Sequence, residues 1–214
     1  MTKKVILFDL DGTLTDSGEG IMNCAQMALA HFKLPIPERS LLRSFVGPPL
    51  HDTFVKFGVP EDKTDEAIAV YRGRYTTVGL FENVPYPGIA ELLQALKSRG
   101  HHLMVATSKP EKVSVQILEH FDLAQYFERI CGASVDKSRC SKEDVIAYLL
   151  DNCNYDLPMV MVGDTVFDII GAAAHSIPAI GVSWGYGNVE EMKDAGAVAI
   201  AQSVLELLNL LENE

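Results

Sequence analysis

Apolar residues gather in short dense runs at 4–10, 103–107, 129–133, 159–163, 179–183 and 197–200. Runs of this length without polar alternation predict strands buried on both faces. Around the later runs lie stretches with apolar positions at helical spacing, at 88–99, 111–120, 142–152, 167–175, 189–194 and 203–211. Strands alternating with helices predict an α/β fold, a mostly parallel sheet covered on both faces. Such sheets take ligands beyond the carboxyl ends of their strands. The stretch after the first strand differs. Helical patterns at 20–32, 40–46, 50–57 and 64–77 follow one another without a convincing strand, and Pro35, Pro37, Pro48, Pro49, Pro60, Pro85 and Pro87 punctuate them. This predicts an inserted helical domain over 17–83 and an α/β core domain over 1–16 and 84–214.

Composition narrows the class. With 214 residues, 48% hydrophobic and 22% charged, the chain reads as globular, not disordered or fibrous. The net charge of −11 argues against a nucleic-acid polymer or an anionic membrane as partner, since either needs a basic face. The acidity is uneven. Of 18 basic and 29 acidic residues, seven and eight fall between Ser17 and Asn83, so the segment predicted as an insert is almost neutral. No stretch reaches the roughly 18 apolar residues of a membrane span. Asp9 directly follows the first apolar run, which does not read as a secretory signal. Cys24, Cys131, Cys140 and Cys153 form no C-x-x-C pair, as expected of free thiols in a reducing cytoplasm. The six histidines are scattered, with no nucleophile partner in sequence.

Acidic residues then cluster at predicted strand ends. Asp9 and Asp11 flank Leu10 at the end of the first strand; two apart on a strand, they share a face and raise each other's pKa unless a cation intervenes. Gly12 lets the backbone turn sharply past a ligand. Asp164 and Asp168 follow the strand over 159–163, where an N-cap and a first-turn acid are the plain structural alternative. Together the four aspartates make an oxygen-ligand set suited to Mg²⁺. Thr107, Ser108 and Pro110 mark a strand passing into a helix N-terminus, a place suited to an anion. Ser108 as a simple helix cap is the alternative there.

Phe8-Asp-Leu-Asp-Gly-Thr-Leu resembles the first motif of the haloacid dehalogenase (HAD) superfamily of phosphohydrolases, and Gly163-Asp-Thr-Val-Phe-Asp168 is similar to its fourth. The resemblance implies a Rossmann-like HAD core with an inserted α-helical cap. It implies Asp9 as nucleophile on phosphorus, Asp11 as general acid/base, and a metal set of Asp9, Asp11, Asp164 and Asp168. It also implies a phosphate-binding set of Thr107, Ser108, Lys142, Leu10 and Asp11, with Thr107 and Lys142 counted as catalytic. Lys137, Arg139 and Lys142 are the candidates for the family's lysine. Ser141-Lys-Glu-Asp144 resembles a capping box, putting Lys142 in a first turn where the helix dipole opposes it, and a residue against local preference hints at a role. Unlike the common family form, the lysine here is not followed by proline.

The loop Arg43-Ser-Phe-Val-Gly47-Pro48-Pro-Leu corresponds to a substrate-covering loop in helical-cap members, so Arg43, Gly47 and Pro48 are candidate substrate contacts. An ordinary surface arginine is the alternative for Arg43. The Gly181-Val-Ser-Trp-Gly-Tyr-Gly segment looks like the phosphoglycolate phosphatase group and its 5′-nucleotidase-like members. The expected function is a Mg²⁺-dependent phosphatase of a small soluble phosphomonoester, phosphoglycolate or a nucleoside monophosphate, through an aspartyl-phosphate. The expected protein is cytoplasmic and a monomer or homodimer. A mutase-type phosphotransferase, an inorganic pyrophosphatase and a non-enzymatic binding module are the rivals.

Overall fold

The computed structural model describes residues 2–134, 136 and 138–212. The chain opens on β1 (Val5–Phe8), whose four side chains are wholly buried. It passes through the two-residue β2 (Thr15–Asp16) into helices α1 (Gly18–His31), α2 (Arg39–Leu42), α3 (Leu50–Lys56) and α4 (Thr64–Tyr75), with single 3₁₀ turns at Arg43–Phe45, Glu61–Lys63 and Gly79–Phe81. It returns through β3 (Val84–Pro85), which pairs with β2. Then follow α5 (Ile89–Ser98), β4 (His102–Pro110), α6 (Glu111–His120), a 3₁₀ turn at Ala124–Tyr126, β5 (Arg129–Ala133), α7 (Lys142–Asp151), β6 (Met159–Gly163), α8 (Val166–Ala173), β7 (Ala179–Val182), α9 (Val189–Asp194), β8 (Ala199–Ala201) and α10 (Val204–Glu212). By compactness the chain divides into Met1–Thr15 with Pro85–Glu214, and Asp16–Val84.

In the first unit six strands form one sheet in the order β5-β4-β1-β6-β7-β8. Every pairing is parallel. The α/β class expected from the apolar runs is therefore the observed one. β1 lies between β4 and β6, so the chain order reverses across it and the crevice beyond its carboxyl end is the natural ligand position. Strands need no polar alternation here because both faces are buried: on one, Val5, Leu7, Met104, Met161 and Ala179 pack with Val145, Ile146 and Leu149 of α7 and Ile169 of α8, and on the other Ile6, Phe8, Leu103 and Val105 are buried as well.

The second unit, taken alone, is helical and built on aromatic packing. Phe45 meets Phe54 and Phe57 with ring centroids 5.0 Å apart in each pair, and Tyr71 stacks on Tyr75 at 5.4 Å. Both tyrosines are buried, and Arg74 of the same helix donates two 2.7 Å hydrogen bonds to Glu82. The helix expected over 40–46 divides into α2 and a 3₁₀ turn. Leu42 and Phe45, both buried, are three apart, the spacing a 3₁₀ turn aligns on one side. Gly47 and Pro48 are exposed beyond it, with Gly47 at φ 101°. No helix of the described residues is long and apolar enough to cross a membrane.

Candidate active site

The loops after β1, β4 and β6 bring together residues far apart in sequence. β1 ends at Phe8; Asp9 follows it, buried at 8% exposure, and its N–H donates to the Val162 carbonyl at 2.9 Å. Asp164 and Asp168, fully buried, stand after β6 and in the first turn of α8. Carboxylate oxygens of Asp9, Asp164 and Asp168 lie within 4.8 Å of one another. Lys142, in the first turn of α7, reaches them from the side. Its Nζ is 2.7 Å from Asp9 Oδ1, 2.7 Å from Asp168 Oδ1 and donates to the Ala106 carbonyl at 2.8 Å. Lys137, the sequence alternative to Lys142, lies outside the described residues. Arg139 pairs with Glu111 at 3.1 Å, away from this cluster's aspartates.

Three buried carboxylates against one ammonium leave an excess of negative charge. Burial pushes the Asp9 carboxyl up to about 6, with Lys142 pulling it down and the Asp168 charge adding to the rise. Burial, then the charges of Asp168 and Asp9, hold Asp164 well above the usual carboxylate range. Burial alone would lower Lys142, but Asp168 and Asp9 outweigh it and hold the ammonium above its ordinary value. An all-oxygen donor set with uncompensated charge fits a hard divalent cation.

Asp11 departs from expectation. Its carboxylate is not in the triad and does not share a strand face with Asp9, because β1 has already ended and the chain is turning. The N–H groups of Thr13, Leu14 and Thr15 all reach the Leu10 carbonyl, at 3.3, 2.9 and 3.1 Å, and Gly12 adopts φ 83°. The charge that raises Asp9 is that of Asp168. Asp11 is instead paired with Lys109, whose Nζ lies 2.9 and 2.7 Å from its two oxygens. Of the expected metal set, the clustered side chains are thus Asp9, Asp164 and Asp168. Lys109 went unnoticed in sequence, although it directly follows Thr107 and Ser108.

Local structure fixes the remaining groups. Thr107 is buried on β4 and its hydroxyl helps hold the Asp9 carboxyl down, while Ser108 is exposed. Ser108 does not cap α6, whose N-cap position is Pro110. Ser141 does cap α7: its Oγ accepts the Asp144 N–H at 3.1 Å, and Asp144 Oδ2 accepts the Ser141 N–H at 2.9 Å. At α8 the N-cap is Thr165, not Asp164. Asp168 Oδ2 accepts its N–H at 3.0 Å and its hydroxyl at 2.8 Å. Asp164 is thereby released from capping. Its Oδ1 accepts from Thr13 at 3.3 Å and its Oδ2 from the Tyr186 N–H at 2.8 Å.

Close backbone approach surrounds Asp164. A Cβ on Gly12 would stand 2.2 Å from its Oδ2, one on Gly185 2.3 Å from the same atom, and one on Gly187 1.9 Å from its carbonyl oxygen. The Gly185-Tyr186-Gly187 loop, given no firm role from sequence, is therefore part of the wall that orients this carboxylate. Arg43, Gly47 and Pro48 belong to the helical unit and are exposed.

Comparison with known proteins agrees with this arrangement. The tyrosine-protein kinase PtkA of Mycobacterium tuberculosis is 46% identical over 189 residues, 87% of this chain and 64% of that protein, so the chain spans less than two thirds of that relative's length. A 5′-nucleotidase of Pseudomonas aeruginosa is 40% identical over 210 residues, 97% of this chain and 95% of its own. A phosphoglycolate phosphatase of Caulobacter vibrioides is 31% identical over 211 residues, 94% and 88% respectively. The crystal structure of a predicted phosphatase from Clostridium acetobutylicum matches with a TM-score of 0.92 and 45% identity over 100% of both chains. The family model for haloacid dehalogenase-like hydrolases matches residues 6–182, and the chain belongs to that family.

Proposed function

We propose that this protein is a phosphatase of a small soluble phosphomonoester, phosphoglycolate or a nucleoside monophosphate, working through a phosphorylated Asp9. The observation that carries the reading is the Asp9 carboxylate held at 2.7 Å by Lys142 beside Asp164 and Asp168. Members of the family generally use Mg²⁺. Here Asp9 and Asp164 would hold it, with the Asp11 backbone carbonyl and Asp168 in support. When bound it would neutralise the repulsion between a phosphate dianion and the carboxylate that attacks it.

Asp9 attacks phosphorus in line as the bond to the leaving oxygen breaks, and Asp11 gives that oxygen its proton. Asp11 then takes a proton from water, whose oxygen attacks phosphorus; phosphate leaves and Asp9 is free again. Thr107, Ser108, Lys142 and the backbone N–H groups of Leu10 and Asp11 are the proposed holders of the phosphoryl oxygens, where charge builds. Arg43, Gly47 and Pro48 of the helical unit, as cap, are the proposed substrate-recognition residues, on the strength of the family resemblance. A cytoplasmic location also belongs to this reading and rests on the free thiols.

A second reading has one observation in its favour. A relative at 46% identity is named a tyrosine-protein kinase, which supports phosphoryl transfer to an acceptor other than water. A panel of phosphoglycolate, nucleoside monophosphates, sugar phosphates and pyrophosphate, with and without Mg²⁺, decides between them. Release of free phosphate from one monoester, dependent on Mg²⁺ and lost in Asp9→Asn, is the expected result. Phosphate appearing on an added hydroxyl acceptor without release supports the transferase. A folded, fully active Asp9→Asn protein removes the nucleophile assignment.

A further inference from the structure

Two buried lysines serve different carboxylates in this site. Lys142 is committed to Asp9 and Asp168. Lys109 has a side chain only 6% exposed and binds both oxygens of Asp11. One ammonium on both oxygens fixes the rotation of the carboxylate as well as its position, because turning it breaks at least one of the two bonds.

The backbones on both sides are held too. Asp11 begins a turn closed by the Gly12 N–H on the Thr15 carbonyl at 2.8 Å. Lys109 lies where β4 shifts register against β5, between Ala106 and Pro110, and its own N–H donates to Thr107 Oγ1 at 3.3 Å. Gly132 of β5 makes room for this irregular stretch: a Cβ there would stand 2.5 Å from the Lys109 carbonyl oxygen and 2.7 Å from Glu111 Cα. A strand irregularity beside a functional site is a recurrent means of re-aiming one side chain. Here the re-aimed side chain is a lysine, and its target is Asp11.

We propose that Lys109 is a positioning residue for Asp11: while Asp11 is protonated, Lys109 holds one of its oxygens so that the hydroxyl on the other faces the leaving oxygen, and once that proton has passed it holds both oxygens of the carboxylate that takes the next proton from water. This rests on the phosphatase reading above. The consequence depends on the leaving group. An alkoxide leaves poorly without a proton, whereas p-nitrophenolate leaves without one, so disturbing Asp11 harms the first far more than the second.

The experiment compares wild type, Lys109→Met and Lys109→Arg, each checked for folding by circular dichroism. Substrates are p-nitrophenyl phosphate and the alkyl phosphate turned over fastest in the panel. The quantity is kcat/KM, which reports events up to phosphorylation of Asp9. In Lys109→Met we expect a loss of about 30-fold or more on the alkyl ester, well below about fivefold on the aryl ester, and KM within about twofold for both. Lys109→Arg, whose guanidinium can also span both oxygens, recovers most of the loss. Should Lys109→Met fail to fold, Lys109→Gln carries the same comparison. Equal losses on both esters, a change confined to KM (a lysine that binds substrate directly), or no loss overturns the proposal. An active wild type with an indifferent variant removes the role of Lys109 alone; a wild type releasing no phosphate from any ester removes the phosphatase reading and this inference with it.

Discussion

Asp168 shows how much one side chain can be asked to do. One oxygen serves the Thr165 N–H and hydroxyl; the other faces Lys142 at 2.7 Å. Deleting the side chain uncaps α8 and leaves Lys142 with Asp9 as its ionic partner in the cluster. Asp168→Ala should therefore cost about 3–5 kcal/mol, the usual penalty for removing one member of a buried pair. Asp168→Asn keeps an acceptor for Thr165 and should cost clearly less. Urea titration of the three proteins checks this, and an Asp168→Ala midpoint equal to wild type would show that the pair carries no stability. His101 makes a different case. Its Nδ1 accepts the Lys4 N–H at 3.2 Å, and its Nε2 is buried with no partner among the described residues. Burial, with the charges of Lys4 and Arg99 added, lowers its pKa. The folded state thus binds fewer protons here than the unfolded chain, so this contribution is full above about pH 6.5 and is lost as pH falls below it. His101→Asn keeps an acceptor without the titration. Its Tm should fall less than that of wild type between pH 7.5 and 5.5; parallel curves would rule His101 out as a contributor.

At the level of elements, the start of α7 carries its own instructions. Ser141 and Asp144 close a reciprocal cap, so Ser141→Ala should lower stability by about 1 kcal/mol, read from the denaturant midpoint at unchanged slope. An unaffected midpoint would mean that packing of Val145, Ile146 and Leu149 alone sets this helix. The cap was legible in sequence because every part of it is local. So were the strands, whose burial on both faces writes itself as unbroken apolar runs, and the grouping of Asp9 with Asp164, since both follow such runs. What stayed hidden depends on pairing across the fold. The register shift of β4 exists only against β5, so nothing in 107–110 announced that Lys109 would turn onto Asp11. Gly185 and Gly187 read as ordinary loop glycines until Asp164 is placed against them. The two-residue strands β2 and β3 are too short to leave a pattern.

For the whole molecule, the acidic cluster ties stability to a cation and to pH together. Asp9 is raised from the ordinary carboxylate value to about 6, and Asp164 is raised as well. For an acid raised on folding, the stabilising contribution is full below its unfolded pKa and disappears as pH climbs through the folded one. Without divalent metal, the charged cluster therefore works against the fold above about pH 6. A cation bound by these carboxylates reverses the sign: it displaces their protons and favours the ionised, folded form. Magnesium at a hundredfold excess over its dissociation constant adds about 2.7 kcal/mol by mass action alone. The rise in Tm on adding Mg²⁺ should thus be larger at pH 7.5, above the raised Asp9 value, than at pH 5, where Asp9 holds its proton. Thermal scans in EDTA and in millimolar Mg²⁺ at both values measure it. Asp164→Asn is the control, expected to be more stable than wild type in EDTA at pH 7.5 and little changed by Mg²⁺. A wild-type shift equal at the two pH values, or absent from both, would separate the raised carboxyls from cation binding and leave the buried charge of this site to be balanced by Lys142 alone.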